Sequence, residues 1–224
     1  IMFTDIAGYT ALSSKDENRA LELLDKQEKI LTPIIDEFNG TLHNRIGDGL
    51  LFTFPTVTDA IKCGIKIQKG TKEVEDLNLR IGIHEGEITI KNGDVLGDDV
   101  NVASRIDPFA AEGGIVISGK VQQNISSLPE FKTKFISEPL LKGVNQEVKI
   151  FCIVSHGLPE TDITKVTAKL EKDVKKLWYN QKFIIGTVSL LVFVVLFFVG
   201  YKNNFMISSG VSESNSKQNH IIYI

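Results

Sequence analysis

Asp5 and Asp48 are the residues whose setting first suggests chemistry. Asp5 closes the apolar stretch Phe3-Thr4-Asp5-Ile6 and is followed by Ala7-Gly8, where the backbone can approach a ligand closely. Asp48 stands between two glycines in Ile46-Gly47-Asp48-Gly49, a turn that leaves a carboxylate exposed. An Asp-Gly pair in a turn also has a plain structural use, so neither aspartate is decisive alone. Brought together, they would form a sparse set of hard oxygen ligands with room for phosphate oxygens and water, which suits Mg²⁺ or Mn²⁺. Asn101 and Arg105 lie four apart, hence on one side of any helix that contains them. An arginine fork there matches phosphate oxygens, although a solvated helix face would show the same pattern. His43 and His84 fall within predicted strands and read as structural.

The elements that must position these residues alternate along residues 1–154. Strands are expected at Phe3–Ile6, Thr41–Arg45, Leu50–Phe54, Ile115–Ser118 and Val148–Val154. The apolar spacing of Leu21, Leu24, Leu31, Ile35 and Phe38 predicts a helix over 17–38, bent at Pro33 and capped by Gly40. Further helices are expected over 59–70 and 99–110, and a strand pair, 79–84 with 87–91, around Gly86. Strand-helix-strand-strand-helix-strand is the order of a ferredoxin-like α+β fold. In such a sheet the first strand neighbours the Asp48 hairpin, so the two aspartates can share a site.

Phe3-Thr4-Asp5-Ile6-Ala7-Gly8-Tyr9-Thr10, Ile46-Gly47-Asp48-Gly49, Arg80-Ile81-Gly82-Ile83-His84-Glu85-Gly86 and Gly97-Asp98-Asp99-Val100-Asn101-Val102-Ala103-Ser104-Arg105 resemble successive motifs of the class III adenylate and guanylate cyclases, in the family's order. Leu141-Lys142-Gly143 follows in its place. The resemblance implies attack of the ribose 3′-hydroxyl on the α-phosphorus of the same nucleotide, with two Mg²⁺ (or Mn²⁺) ions held by Asp5, Asp48 and the Ile6 carbonyl. It assigns Asn101 to the ribose, Arg105 to charge at the α-phosphate, and Arg80 and Lys142 to the triphosphate. It reads the purine from Asn44 and Asp94. Asp94 suits the 6-amino group of adenine and so favours ATP over GTP; Asn44 departs from the usual lysine, and its amide can donate or accept. The resemblance also implies a head-to-tail homodimer, with Asp5, Asp48 and Arg80 from one subunit and Asn44, Asp94, Asn101, Arg105 and Lys142 from the other.

Composition narrows the remaining classes. The 224 residues carry a net charge of −3, so no basic field is available for nucleic acid, which argues against a polymerase-type palm on a similar core. A catalytically silent dimerisation or nucleotide-sensing module is the other alternative. Cys63 and Cys152 lack metal-ligand spacing and read as core residues of a reducing compartment. Residues 155–182 read as a linker and a lysine-rich amphipathic helix, 183–201 as a transmembrane helix, and 202–224 as a polar tail. Lys169, Lys172, Lys175, Lys176 and Lys182 precede the apolar run, whereas Lys202 alone soon follows it. The positive-inside rule then places the catalytic domain in the cytoplasm of a single-pass inner-membrane protein. The chain opens at Ile1 inside an apparent strand, so an upstream segment is expected.

Overall fold

A computed structural model describes residues 1–91 and 94–166. The amphipathic helix beyond Val166, the predicted span 183–201 and the tail 202–224 lie outside the described residues. Among the described residues no helix is long and apolar enough to cross a membrane.

The first four strands of the main sheet are β1 (Met2–Ile6), β2 (Thr41–Ile46), β3 (Gly49–Thr53) and β4 (Leu79–Ile83). They lie in the order β2-β3-β1-β4, all antiparallel to their neighbours, with helices α1 (Tyr9–Lys15), α2 (Glu17–Glu37) and α3 (Val57–Thr71) between them in sequence. This is the predicted ferredoxin-like arrangement. The two-residue periodicity of β1 sends Met2, Thr4 and Ile6 to one face and Phe3 and Asp5 to the other. On the first face, Met2, Leu50, Phe52, Leu79, Ile81 and Ile83 bury against Leu23, Leu31 and Ile35 of α2 and Ile61 and Ile65 of α3. Helix α2 starts at an aspartate cap, Asp16 Oδ1 accepting from Arg19 N at 3.0 Å, and continues past Pro33 to Glu37.

Three departures from the sequence reading bear on the site. Strand β4 does not pair with the segment after Gly86. It lies between β1 and β7 (Ile115–Ser118), and is parallel to the latter. The segment after Gly86 instead forms a separate hairpin, β5 (Thr89–Lys91) with β6 (Asp94–Leu96), which lies against β2. Its Val95 packs on Phe3 and Leu51, so burial of one residue on the second sheet face outweighs pairing with the preceding strand. The third departure is in the helix expected over 99–110. It runs as α4 (Asp98–Ile106) and then tightens to a 3₁₀ turn at Asp107–Phe109, because Pro108 has no N–H for a helical bond. Helix α5 (Gly119–Ile125) and strands β8 (Thr133–Ser137) and β9 (Ile150–Ile153) complete the domain, extending the sheet as β4-β7-β9-β8. Helices α1 and α5 and strand β8 escape the sequence reading. They are short, and α1 buries no residue that would mark an apolar face.

The stretch read as a linker is packed. Leu158 joins the main core, Glu160 pairs with Lys134, and Thr161 Oγ1 accepts from Ala111 N at 3.3 Å. Ile163–Lys165 is a 3₁₀ turn.

Gly82 decides how closely α4 approaches the sheet. A Cβ there would lie 2.7 Å from Asp107 N and 3.0 Å from the Ala103 carbonyl oxygen, both of them backbone atoms that cannot swing aside. Gly82→Ala is therefore expected to lower stability by about 2 kcal/mol, or roughly 4–8 °C in a thermal melt. Gly70→Ala, near the end of α3 with only side-chain atoms nearby at 3.4 Å or more, should raise it by up to about 1 kcal/mol.

Candidate active site

Strand register brings the first acid to a cation. Asp5 on β1 stands directly opposite Arg80 on β4, both on the face that α4 covers. The guanidinium forks onto the carboxylate, Nε donating to Oδ1 at 3.0 Å and the terminal nitrogen to Oδ2 at 2.6 Å. Both side chains are 21% exposed. The β2–β3 turn supplies the second acid. Asp48 Oδ2 accepts from Ile6 N at 2.9 Å, so the turn is tied to the end of β1, and Gln27 of α2 donates to the Asp48 carbonyl at 3.2 Å. Gly49 permits this closeness, since a Cβ there would sit 2.8 Å from the Phe3 ring.

These groups line one cavity of about 540 Å³ together with Thr10, Ser104, Arg105 and Asp107. Asp107 was not singled out from the sequence. It lies 4% exposed, and its Oδ1 has no hydrogen-bond partner. Arg105 Nε is likewise buried without an acceptor. The one sequence signal for Asp107 is its place two residues beyond Arg105, where Pro108 turns the chain back towards the sheet.

The electrostatics follow from burial and crowding. Burial, helped by the Asp5 charge, pushes the Asp107 carboxyl up to about 8, so it holds its proton near neutral pH. Burial also raises Asp48, against the lowering effect of the Ile6 N–H. For Arg80, burial opposes the charge, but the Asp5 bond and the charges of Asp107 and Asp48 more than offset it, and its pKa rises.

Of the other residues singled out, Asn101 is exposed on α4, one turn before Arg105, and does not line this cavity. Asn44 lies on β2 just after a bulge at His43, opposite Leu51. Asp94 begins β6, which packs beside β2, so Asn44 and Asp94 sit on adjoining elements. Lys142 is exposed in a turn whose Gly143 takes a φ of 72°. The single chain thus gathers Asp5, Ile6, Asp48, Arg80 and Arg105, and leaves Asn44, Asn101 and Lys142 outside the cavity lining. His84 takes no part in it. Its Nδ1 meets Ser118 Oγ at 2.7 Å and its Nε2 meets Asp99 Oδ1 at 2.8 Å, while Asp99 Oδ2 accepts from Glu87 N at 2.9 Å. This network pins the start of α4 to the end of β4, and burial keeps the imidazole pKa low. Gly86 makes room for it, since a Cβ there would overlap Asp99.

Among the described residues no cluster of three or more His, Cys, Asp or Glu side chains is arranged to hold a metal ion unaided. The site offers two carboxylates and the Ile6 backbone, a donor set of hard oxygens. That set fits Mg²⁺ or Mn²⁺, which keep water ligands and share phosphate oxygens with a substrate.

Residues 1–155 match the family described as the adenylate and guanylate cyclase catalytic domain. The chain is 31% identical over 133 residues to putative adenylate cyclase 3 of Rhizobium meliloti, covering 56% of this chain and 23% of that protein. It is 28% identical over 178 residues to an adenylate cyclase of Anabaena cylindrica, covering 67% of this chain and 36% of that protein. The crystal structure of an adenylate/guanylate cyclase/hydrolase from Silicibacter pomeroyi superposes with a TM-score of 0.62 at 27% identity, over 71% of this chain and 95% of that one. The chain spans between 19% and 36% of the length of the first curated relatives it matches.

The buried acid has a measurable consequence. Between the ordinary aspartate pKa and about 8, the folded chain holds a proton on Asp107 that the unfolded chain releases. Stability from this group is full below the ordinary value and declines as pH rises through that window, by up to about 1.4 kcal/mol per pH unit. Thermal melts between pH 5 and pH 8 should show the decline in the native chain. Asp107→Asn, a neutral near-isostere, should flatten it.

Proposed function

The chain belongs to the adenylate and guanylate cyclase catalytic-domain family, and on that premise we propose that it converts ATP to 3′,5′-cyclic AMP and pyrophosphate. The observation that carries this reading is the convergence of Asp5 and Asp48 on one cavity that also holds Arg80 and Arg105.

Asp5, Asp48 and the Ile6 carbonyl would hold two divalent cations, which when bound acidify the ribose 3′-hydroxyl and neutralise the phosphates. Arg80 would take the triphosphate once its fork is free of Asp5. Arg105, with a buried and unpartnered Nε, is the donor available for charge that builds on the α-phosphate. Asn101 would orient the ribose and Lys142 the leaving phosphates. Asp94 favours the adenine amino group, and Asn44 beside it leaves GTP as the second substrate to test.

Asn44, Asn101 and Lys142 lie outside the cavity lining of their own chain, which supports a site completed by a second copy. Leu42, Ile46, Ile90 and Leu96 are 41–62% exposed on β2, its turn and the adjoining β5–β6 hairpin, an apolar surface at the cavity's edge suited to a homodimer. The apolar run 183–201 and its lysine-rich flank support a single-pass anchor in the inner membrane, with the domain on the cytoplasmic side.

Mn²⁺-dependent release of pyrophosphate from ATP, with GTP in parallel, tests the reaction. ATP turnover at least tenfold above GTP is expected, with Asp48→Ala lowering it by 10² or more. The reading fails if neither nucleotide is turned over. Mixing Asp48→Ala with Arg105→Ala chains tests the shared site. Recovery of activity means that Arg105 serves the partner, and no recovery means that it serves the cavity it lines here. Alkaline extraction of membranes should leave the full chain in the pellet and release a chain ending at residue 182.

A further inference from the structure

Arg80 occupies both oxygens of Asp5 in this structure, with donor distances of 3.0 and 2.6 Å. A carboxylate so engaged is a poor ligand, because a cation approaching it meets a fixed positive charge and must displace two charge-assisted hydrogen bonds. The guanidinium is itself only 21% exposed, so once displaced it would be a half-buried charge without a counterion. Some group must receive it.

The cavity contains such a group. Asp107 is 4% exposed, carries an oxygen with no hydrogen-bond partner, and lines the same cavity as Asp5 and Arg80. The backbone brings it there. Arg80 and Gly82 share a face of β4, and the missing Cβ of Gly82 lets the Asp107 backbone rest on the strand within one pleat of Arg80. Arg80 also borders a second cavity, lined by Pro108, Ala110, Glu112, Glu160 and Asp162, so space for the side chain exists beside Pro108, the neighbour of Asp107. A buried carboxyl oxygen without a hydrogen-bond partner is costly in a folded protein and calls for an explanation. Packing alone would be served better by an apolar residue.

We propose that Asp107 is the positioning residue of this site, the carboxylate that receives the Arg80 guanidinium when a divalent cation takes the oxygens of Asp5. In the metal-free chain Arg80 guards Asp5, and Oδ1 of Asp107 waits without a hydrogen-bond partner. In the loaded chain Arg80 bridges towards Asp107, whose carboxyl gives up its proton to solvent as the guanidinium arrives; this leaves Asp5 free and holds the guanidinium at the cavity wall, where a triphosphate can meet it. The proposal rests on the reading of Asp5 as a metal ligand.

The test is Mn²⁺ affinity, measured by titration calorimetry on the full chain without nucleotide, in a cycle of four proteins: native, Asp107→Asn, Arg80→Ala and the double variant. Asp107→Asn should bind Mn²⁺ about tenfold more weakly than native, a coupling of ordinary size between two linked sites. Arg80→Ala removes the guard, so the double variant should bind as Arg80→Ala does. A penalty that persists undiminished without Arg80, or no penalty at all, overturns the proposal. Absence of Mn²⁺ binding by the native chain overturns the metal reading and this proposal with it, so the two failures are distinguishable. Should Asp107→Asn not fold, Asp107→Glu serves the same cycle. It keeps the carboxylate and should bind within about twofold of native, and a tenfold loss would overturn the proposal. The ¹⁵N resonance of Arg80 Nε supplies a second readout. Saturating Mg²⁺ should shift it while it stays protected from exchange in the native chain, and expose it to rapid exchange in Asp107→Asn. An unshifted resonance in the native chain also counts against the handover.

Discussion

The electrostatic balance around Arg80 is what makes the rest of this site possible. Three carboxyl groups share one cavity, and like charges held that close in a half-buried setting would repel strongly. Arg80 neutralises one of them through a two-pronged bond, and burial keeps the third protonated near neutral pH. Only Asp48 relies mainly on the backbone, through the Ile6 N–H. The cavity is therefore poised rather than neutral, stable as it stands and able to become a stronger anion if its guanidinium is drawn away.

Backbone geometry holds that balance in place. Asp5 and Arg80 meet because β1 and β4 are adjacent and antiparallel in one register, and a slip of one residue in either strand would turn its charged group to the apolar face. Asp107 and Arg105 arrive from the opposite side, on a helix and turn that can approach only because position 82 lacks a side chain. The His84–Asp99 contact fixes the other end of the same helix to the end of the same strand. Two anchors, one of them a steric permission and the other a polar network, thus determine where α4 presents Asn101 and Arg105.

Much of this was legible in the chain. The short strand at Phe3–Ile6, the glycine-flanked Asp48 hairpin and the apolar spacing of α2 lead directly to the ferredoxin-like core and to the neighbouring aspartates. Local reading paired the segment after Gly86 with β4, because adjacency in sequence is the only guide it has. Burial of Val95 against Phe3 and Leu51 is a long-range event and decided otherwise. Asp107 was passed over for a related reason. An aspartate before a proline is ordinary turn chemistry, and nothing local says that this one will be covered by β4.

The sequence by itself determined which groups are available. It supplied the acids at 5 and 48, the arginines at 80 and 105, the glycines at 49, 82 and 86, and a motif order that marks the family. Such features depend on residue identity and short-range periodicity, which the chain carries in full. The tertiary structure alone decided which groups face one another. It set the Arg80 fork on Asp5, burial of Asp107 with one oxygen unpartnered, and placement of Arg105 but not Asn101 at the cavity of its own chain. Those outcomes depend on register, close packing and desolvation, which come into being only when distant strands and helices meet.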